Sequence, residues 1–192
     1  MKKIYFLPIL ALLAGCSSVN DVDRRPASEI AFVKEFVAAD STYEAQINDL
    51  AKKESFEKSA KKLTDFVDNT LKGKIENWEV VMLEVEPHEA STDATFIISK
   101  EPNSVEEQYS QYNSITLVSE SIKDERLLSV LKTLAPNEIV LVSGTLGAEK
   151  DENGFLVLET ALNPEPNKGR ELESPSFYFN LTDVKKKPVE KL

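Results

Sequence analysis

The period of the apolar positions changes twice along the chain. From about residue 28 to residue 71 they recur at helical intervals: Ile30, Val33 and Val37, then Tyr43, Ile47 and Leu50, then Phe56, Ala60, Leu63, Val67 and Leu71. That spacing predicts a helical pair or one kinked helix. Ser41, with Glu44 three positions on, has the form of a capping box, in which each side chain satisfies an otherwise orphan backbone N–H, and predicts a second helix starting there. Gly73 supplies the stop.

From about residue 74 to residue 184 the pattern is that of strands. Residues 75–86 carry Trp78, Val80, Val81, Met82, Leu83 and Val85; residues 94–99 carry Phe96, Ile97 and Ile98; residues 114–119 carry Ile115, Leu117 and Val118. Leu127, Leu128, Leu131 and Leu134 then return to helical spacing over 124–134, before residues 139–146 resume as a strand with Gly144 inside it. Asn153-Gly154 reads as a hairpin turn leading into a short strand at 155–158, and residues 176–184 alternate Phe177, Phe179 and Leu181 against Tyr178 and Asn180. The order β-β-β-α-β-β, with an elaborated final connection, is that of an OB-fold, a five-stranded Greek-key barrel with its helix between the third and fourth strands. The expected class is mainly β with α (α+β): an N-terminal helical segment over 28–72 packed on an OB-fold-like barrel over 73–185, followed by a disordered tail over 186–192.

Ahead of the helices, Lys2 and Lys3 precede a nearly unbroken apolar run over residues 4–13 and then Ala14-Gly15-Cys16. The run is too short to span a bilayer and has the order of a signal peptide over 1–15. Leu13-Ala14-Gly15-Cys16 resembles the lipobox of bacterial lipoproteins, and the resemblance implies diacylglycerol on the Cys16 thiol with cleavage just before it. An ordinary secretory signal with a buried, unreactive Cys, or a short anchor, are the competing readings. Residues 16–27, small, polar and charged with Pro26 near the end, read as a flexible tether. Two acyl chains anchor stably where one is marginal, so the expected location is the cell membrane or outer membrane, lipid-anchored and facing the periplasm or exterior. Ser17 and Ser18 stand where an Asp would resemble an inner-membrane retention signal, which leans towards the outer membrane.

Charge sharpens this picture. The 192 residues hold 23 Lys+Arg against 33 Asp+Glu, a formal charge of −10. Removing residues 1–15 takes two lysines and no acid, leaving −12. Such a surface is repelled by anionic headgroups and by phosphate backbones, so lipid rather than electrostatics must hold it to a membrane, and nucleic acid is disfavoured as a partner. The lysines Lys52, Lys53, Lys58, Lys61 and Lys62 interleave with Glu54 and Glu57 and read as a solvated helix face. Lys185, Lys186 and Lys187 stand together near the end, where they offer a contact for acidic headgroups.

Catalytic constellations are sparse. One Cys and one His exclude an intrachain disulfide, a Cys/His zinc cluster and a Cys-His pair. His88 sits in the turn Glu86-Pro87-His88-Glu89 and reads as an exposed, unpaired imidazole; Asp151-Glu152-Asn153-Gly154 lacks the ligand periodicity of a calcium loop. Nucleophile-elbow, P-loop and dinucleotide fingerprints are missing from the sequence. The expectation is a non-enzyme with no cofactor and no metal.

Lys74-Ile75-Glu76-Asn77-Trp78, the segment from Leu131 to Gly144 and the segment from Pro175 to Val184 resemble an OB-fold-like family of poorly characterised bacterial proteins, several of them lipoproteins. The sequence departs from that pattern at Pro136-Asn137-Glu138, where Gly-Asp is expected, and at Glu79, where Gly often follows the Trp. The resemblance implies the fold and brings no established activity. Trp78, Phe177 and Phe179 are expected in the barrel core. Tyr109 and Tyr112, in the polar loop that also holds Glu101, Glu106 and Glu107, are the candidate ligand-contact residues. The leading expectation is a non-catalytic envelope module, held to the membrane by lipid on Cys16, that binds an envelope protein or a small ligand. A single-stranded nucleic-acid-binding barrel and an uncharacterised hydrolase or assembly factor are the alternatives.

Overall fold

The computed structural model describes residues 23–100, 114–146 and 175–188. Cys16 with its leader, the loop carrying Tyr109 and Tyr112, the Asp151–Gly154 turn and the expected strand at 155–158 lie outside the described residues.

Five strands, β1 (Lys74–Pro87), β2 (Thr92–Ser99), β3 (Ser114–Ile122), β4 (Ile139–Leu146) and β5 (Ser176–Lys186), close a barrel in the order β1-β2-β3-β5-β4. All neighbours are antiparallel except β3 and β5, which run parallel. With the helix α3 (Glu125–Leu131) between β3 and β4, this is the OB arrangement expected from the sequence.

The 14-residue β1 makes closure possible because it serves two neighbours, pairing with β4 from Lys74 to Val81 and with β2 from Val81 to Pro87. Register shifts between Ile75 and Trp78 and between Met82 and Glu84 bend it across the barrel, as bulges do. Asn77 occupies the first bulge at φ 53°, and its N–H donates to Ser143 Oγ at 2.9 Å. The period of two then sends Trp78, Val80 and Met82, Phe96 and Ile98, Ile115 and Leu117, Val140 and Val142, and Phe177 and Phe179 inward, none more than 4% exposed.

Helix α3 is held at its start by Asp124, whose Oδ1 accepts from the N–H groups of Arg126 and Leu127, and buries Leu127 and Leu131. The strand β5 runs past the expected barrel end. Lys186 Nζ meets Glu138 Oε1 at 2.8 Å and Lys187 Nζ meets Glu79 Oε2 at 2.7 Å, so these two lysines, expected in a disordered tail, tie the end of β5 to its neighbours.

Two helices precede the barrel: α1 (Ala27–Glu44) and α2 (Asp49–Asp65), the latter continued by a π-helical turn over Phe66–Leu71. The expected capping box does not form, because Ser41 lies inside α1 and its backbone carbonyl accepts from Ala45 N–H. Asn48 caps α2 in its place, accepting from Ala51 N–H at 2.9 Å. The expected apolar stripe is also partly displaced: Val37, Ile47 and Leu50 are exposed, Ile47 in the connection itself, while α1 buries Phe32, Val33, Phe36, Ala39 and Tyr43. Lys72 and Gly73, at φ 55° and 67°, end the helical segment, and Gly73 N–H donates to Val67 O.

At Gly144 the strand β4 shifts register against β5, and a Cβ there would stand 2.2 Å from Asn180 O and 2.4 Å from Phe179 Cε2. Gly144→Ala is expected to lower the unfolding free energy by about 3 kcal/mol, the upper part of the overpacking range. Urea denaturation measures it, and an unchanged midpoint contradicts this account of the seam.

Candidate functional site

The first turn of α1 is locked to the barrel by polar groups as well as rings. Phe32 packs on Trp78 and Phe177 with centroids 5.0 and 5.8 Å apart, and Phe36 meets Phe177 edge-on at 5.4 Å. Trp78 Nε1–H donates to Ser28 Oγ at 2.9 Å, which gives the buried indole its partner. Beside it lies Glu29, fully buried, whose Oε2 accepts Glu79 N–H at 2.7 Å and whose Oε1 faces Arg25 Nη1 at 3.4 Å. Arg25 in turn donates to the Asp23 carboxylate at 2.7 Å and to the Ser99 carbonyl, at the end of β2, at 2.7 Å. Residues 23–26, expected as the last part of a flexible tether, are thus fastened to the barrel by Arg25.

Burial pushes the Glu29 carboxyl from an ordinary 4.5 up to about 8, against the opposing pull of Glu79 N–H and Arg25. The Arg25 guanidinium holds Asp23 below the usual carboxylate range. A carboxyl near neutrality is a proton-transfer group wherever substrate reaches it, but Glu29 is sealed beneath α1, so its role here is to seat the helix.

Between α1 and α2 a groove of about 310 Å³ opens to solvent. It exists because the facing rows, at i, i+3, i+4 and i+7 on each helix, are built largely from small side chains: Ala38, Ala39 and Thr42 on α1, and Ser55 and Ser59 on α2. Glu35 and Lys62 close one part of it with an ion pair of 2.6 Å. Ser55 Oγ is buried and has no hydrogen-bond partner. Four lysines of α2 face acids: Lys52 with Glu44 and Lys53 with Glu57 at 3.9 Å, Lys61 with Asp65 at 3.3 Å, and Lys62 with Glu35. The fifth, Lys58, lines the groove and forms no ion pair among the described residues.

Of the residues singled out in the sequence, Cys16, Tyr109 and Tyr112 lie outside the described residues. Trp78, Phe177 and Phe179 are in the core as expected. His88 is exposed but not unpaired: its Nε2 lies 3.0 Å from Asp93 Oδ2, while Asp93 Oδ1 accepts Ser121 N–H at 2.8 Å. First that N–H and then His88 hold Asp93 below the usual carboxylate range. Among the described residues Phe56, Phe66 and Tyr178 are half-buried and the other Phe, Tyr and Trp side chains are buried. No group of three His, Cys, Asp or Glu side chains there could hold a metal ion.

The groove and Glu29 were both missed in the sequence. Glu29 did leave a signal, since it stands four positions after Arg25 and opens the run Glu29-Ile30-Ala31-Phe32-Val33 on a helix that must dock. No protein-family model, no curated protein and no solved structure matches the chain.

Because the folded state holds a proton on Glu29 that the unfolded chain releases near pH 4.5, its contribution to stability is fully present below that pH and is lost as pH rises through about 8. Glu29→Gln is expected to flatten that decline, with wild type losing stability between about pH 5 and pH 9 and the variant losing less. Urea midpoints across the range measure it; parallel pH profiles contradict the assignment.

Proposed function

We propose that this chain is a non-catalytic, lipid-anchored binding module of the bacterial cell envelope. Support for the anchor comes from the ordered signal at residues 1–16, with Cys16 as the acylated residue. The observation that carries the proposal further is the fastening of Arg25 to the Ser99 carbonyl. It leaves only six residues between Cys16 and Asp23 to join lipid to body, a reach of at most about 25 Å. With Cys16 acylated, so short a link would keep the α1 and β2 side of the barrel close to the membrane. Support for a binding module comes from the α1–α2 hairpin, which offers a groove and the exposed side chains Val37, Ile47 and Leu50. No described helix is long and apolar enough to cross a membrane.

Metabolic labelling with a radioactive or clickable palmitate, followed by mass analysis of the product, tests the anchor. Wild type is expected to carry label and to begin at Cys16. Cys16→Ser is expected to lose all label and keep residues 1–15. Label retained by Cys16→Ser, or an intact leader with a free thiol in the wild type, refutes it.

A further inference from the structure

We propose that the α1–α2 groove binds a small aliphatic carboxylate, its charged end between Lys58 and Ser55 and its hydrocarbon on Ala38, Ala39 and Leu63. The proposal gives the binding-module reading a ligand class and rests on that reading for its purpose, although not on the lipid anchor.

Three independent features converge on this chemistry. The first is space: about 310 Å³ between two packed helices is at the lower end of small-molecule pockets and holds a short ligand rather than a second helix. The second is the Ser55 hydroxyl. A buried hydroxyl without a partner is disfavoured, because folding strips its water and returns no hydrogen bond. A serine side chain re-aims by one rotation between staggered wells, which turns this orphan into a donor for an oxygen in the groove. The third is charge. The Glu35 carboxylate is committed to Lys62, which leaves Lys58 as the cation of the groove without an ion pair among the described residues, in a protein whose net charge is −10.

One ammonium and one hydroxyl match the two oxygens of a carboxylate, while a phosphate has more acceptor sites than this pair supplies. Ala38, Ala39 and Leu63 then offer an apolar bed for a few methylene groups.

The test uses the full lipidated chain in zwitterionic nanodiscs, with butyrate observed by saturation-transfer NMR and empty discs as the blank. Saturable binding of butyrate is expected, with butanol at least about tenfold weaker because it lacks the charge. Lys58→Gln and Ser55→Ala are each expected to weaken butyrate about tenfold. Lys58 is exposed and Ser55→Ala removes an orphan hydroxyl, so both variants are expected to melt no lower than the parent, which separates lost binding from lost folding. Equal signals for butyrate and butanol, undiminished binding in both variants, or no saturable binding overturns the proposal. So does binding of an acidic peptide by a groove that ignores butyrate, which would reassign it to a protein partner. Acyl labelling at Cys16 is read separately, so failure of the groove leaves the anchor standing or falling by itself.

Discussion

A carboxyl group with no solvent is among the least favourable placements in a folded chain, and α1 makes one at Glu29 because the same helical turn delivers Ser28 and Phe32 to Trp78. Helical spacing leaves no choice. If Phe32 and Phe36 are to reach Phe177, residue 29 must face the barrel as well. The chain answers with the N–H of Glu79, on the part of β1 that β2 does not pair, and with Arg25 one turn earlier. Strand edge, arginine and buried acid are one device. The helical hairpin and the barrel are joined through it.

The same economy of space explains the seam and the groove. Where β4 meets β5 the backbones and Phe179 come so close that only glycine fits at position 144, and the barrel is tight. Where α1 meets α2 the opposite holds, since small side chains on both rows leave room that neither helix fills. A molecule that packs its barrel to contact distance and leaves its hairpin open has concentrated its adaptable surface on the hairpin.

The barrel was legible because its strands announce themselves by a period of two and by turn residues, and because the helix between β3 and β4 is a strong topological marker. The hairpin was less legible. On α1, apolar residues lie on more than one face: Ile30, Val33 and Val37 fall on helical spacing, while the row that meets the barrel, Phe32 and Phe36, also holds the acid Glu29. Ile47 fell on helical spacing only by coincidence, since it sits in the connection between α1 and α2. Asn48 was overlooked as a cap because Ser41 and Glu44 matched a stronger local pattern. The groove had no signature at all, being defined by what small side chains fail to occupy. The partners of Lys186, Lys187 and His88 come from other strands or from across a turn, which local reading does not reach.

Arg25 grips the last carbonyl of β2 and, through Glu29, the backbone of β1. Tension arriving along the chain ahead of Asp23 therefore divides at Arg25, part of it passing directly into β2 and part through the first turn of α1 into β1. Sheet hydrogen bonds in a ring share such a load, whereas a helical hairpin would unravel end first. A pull from that end is thus taken up where α1 begins, and the connection between α1 and α2 lies off its path.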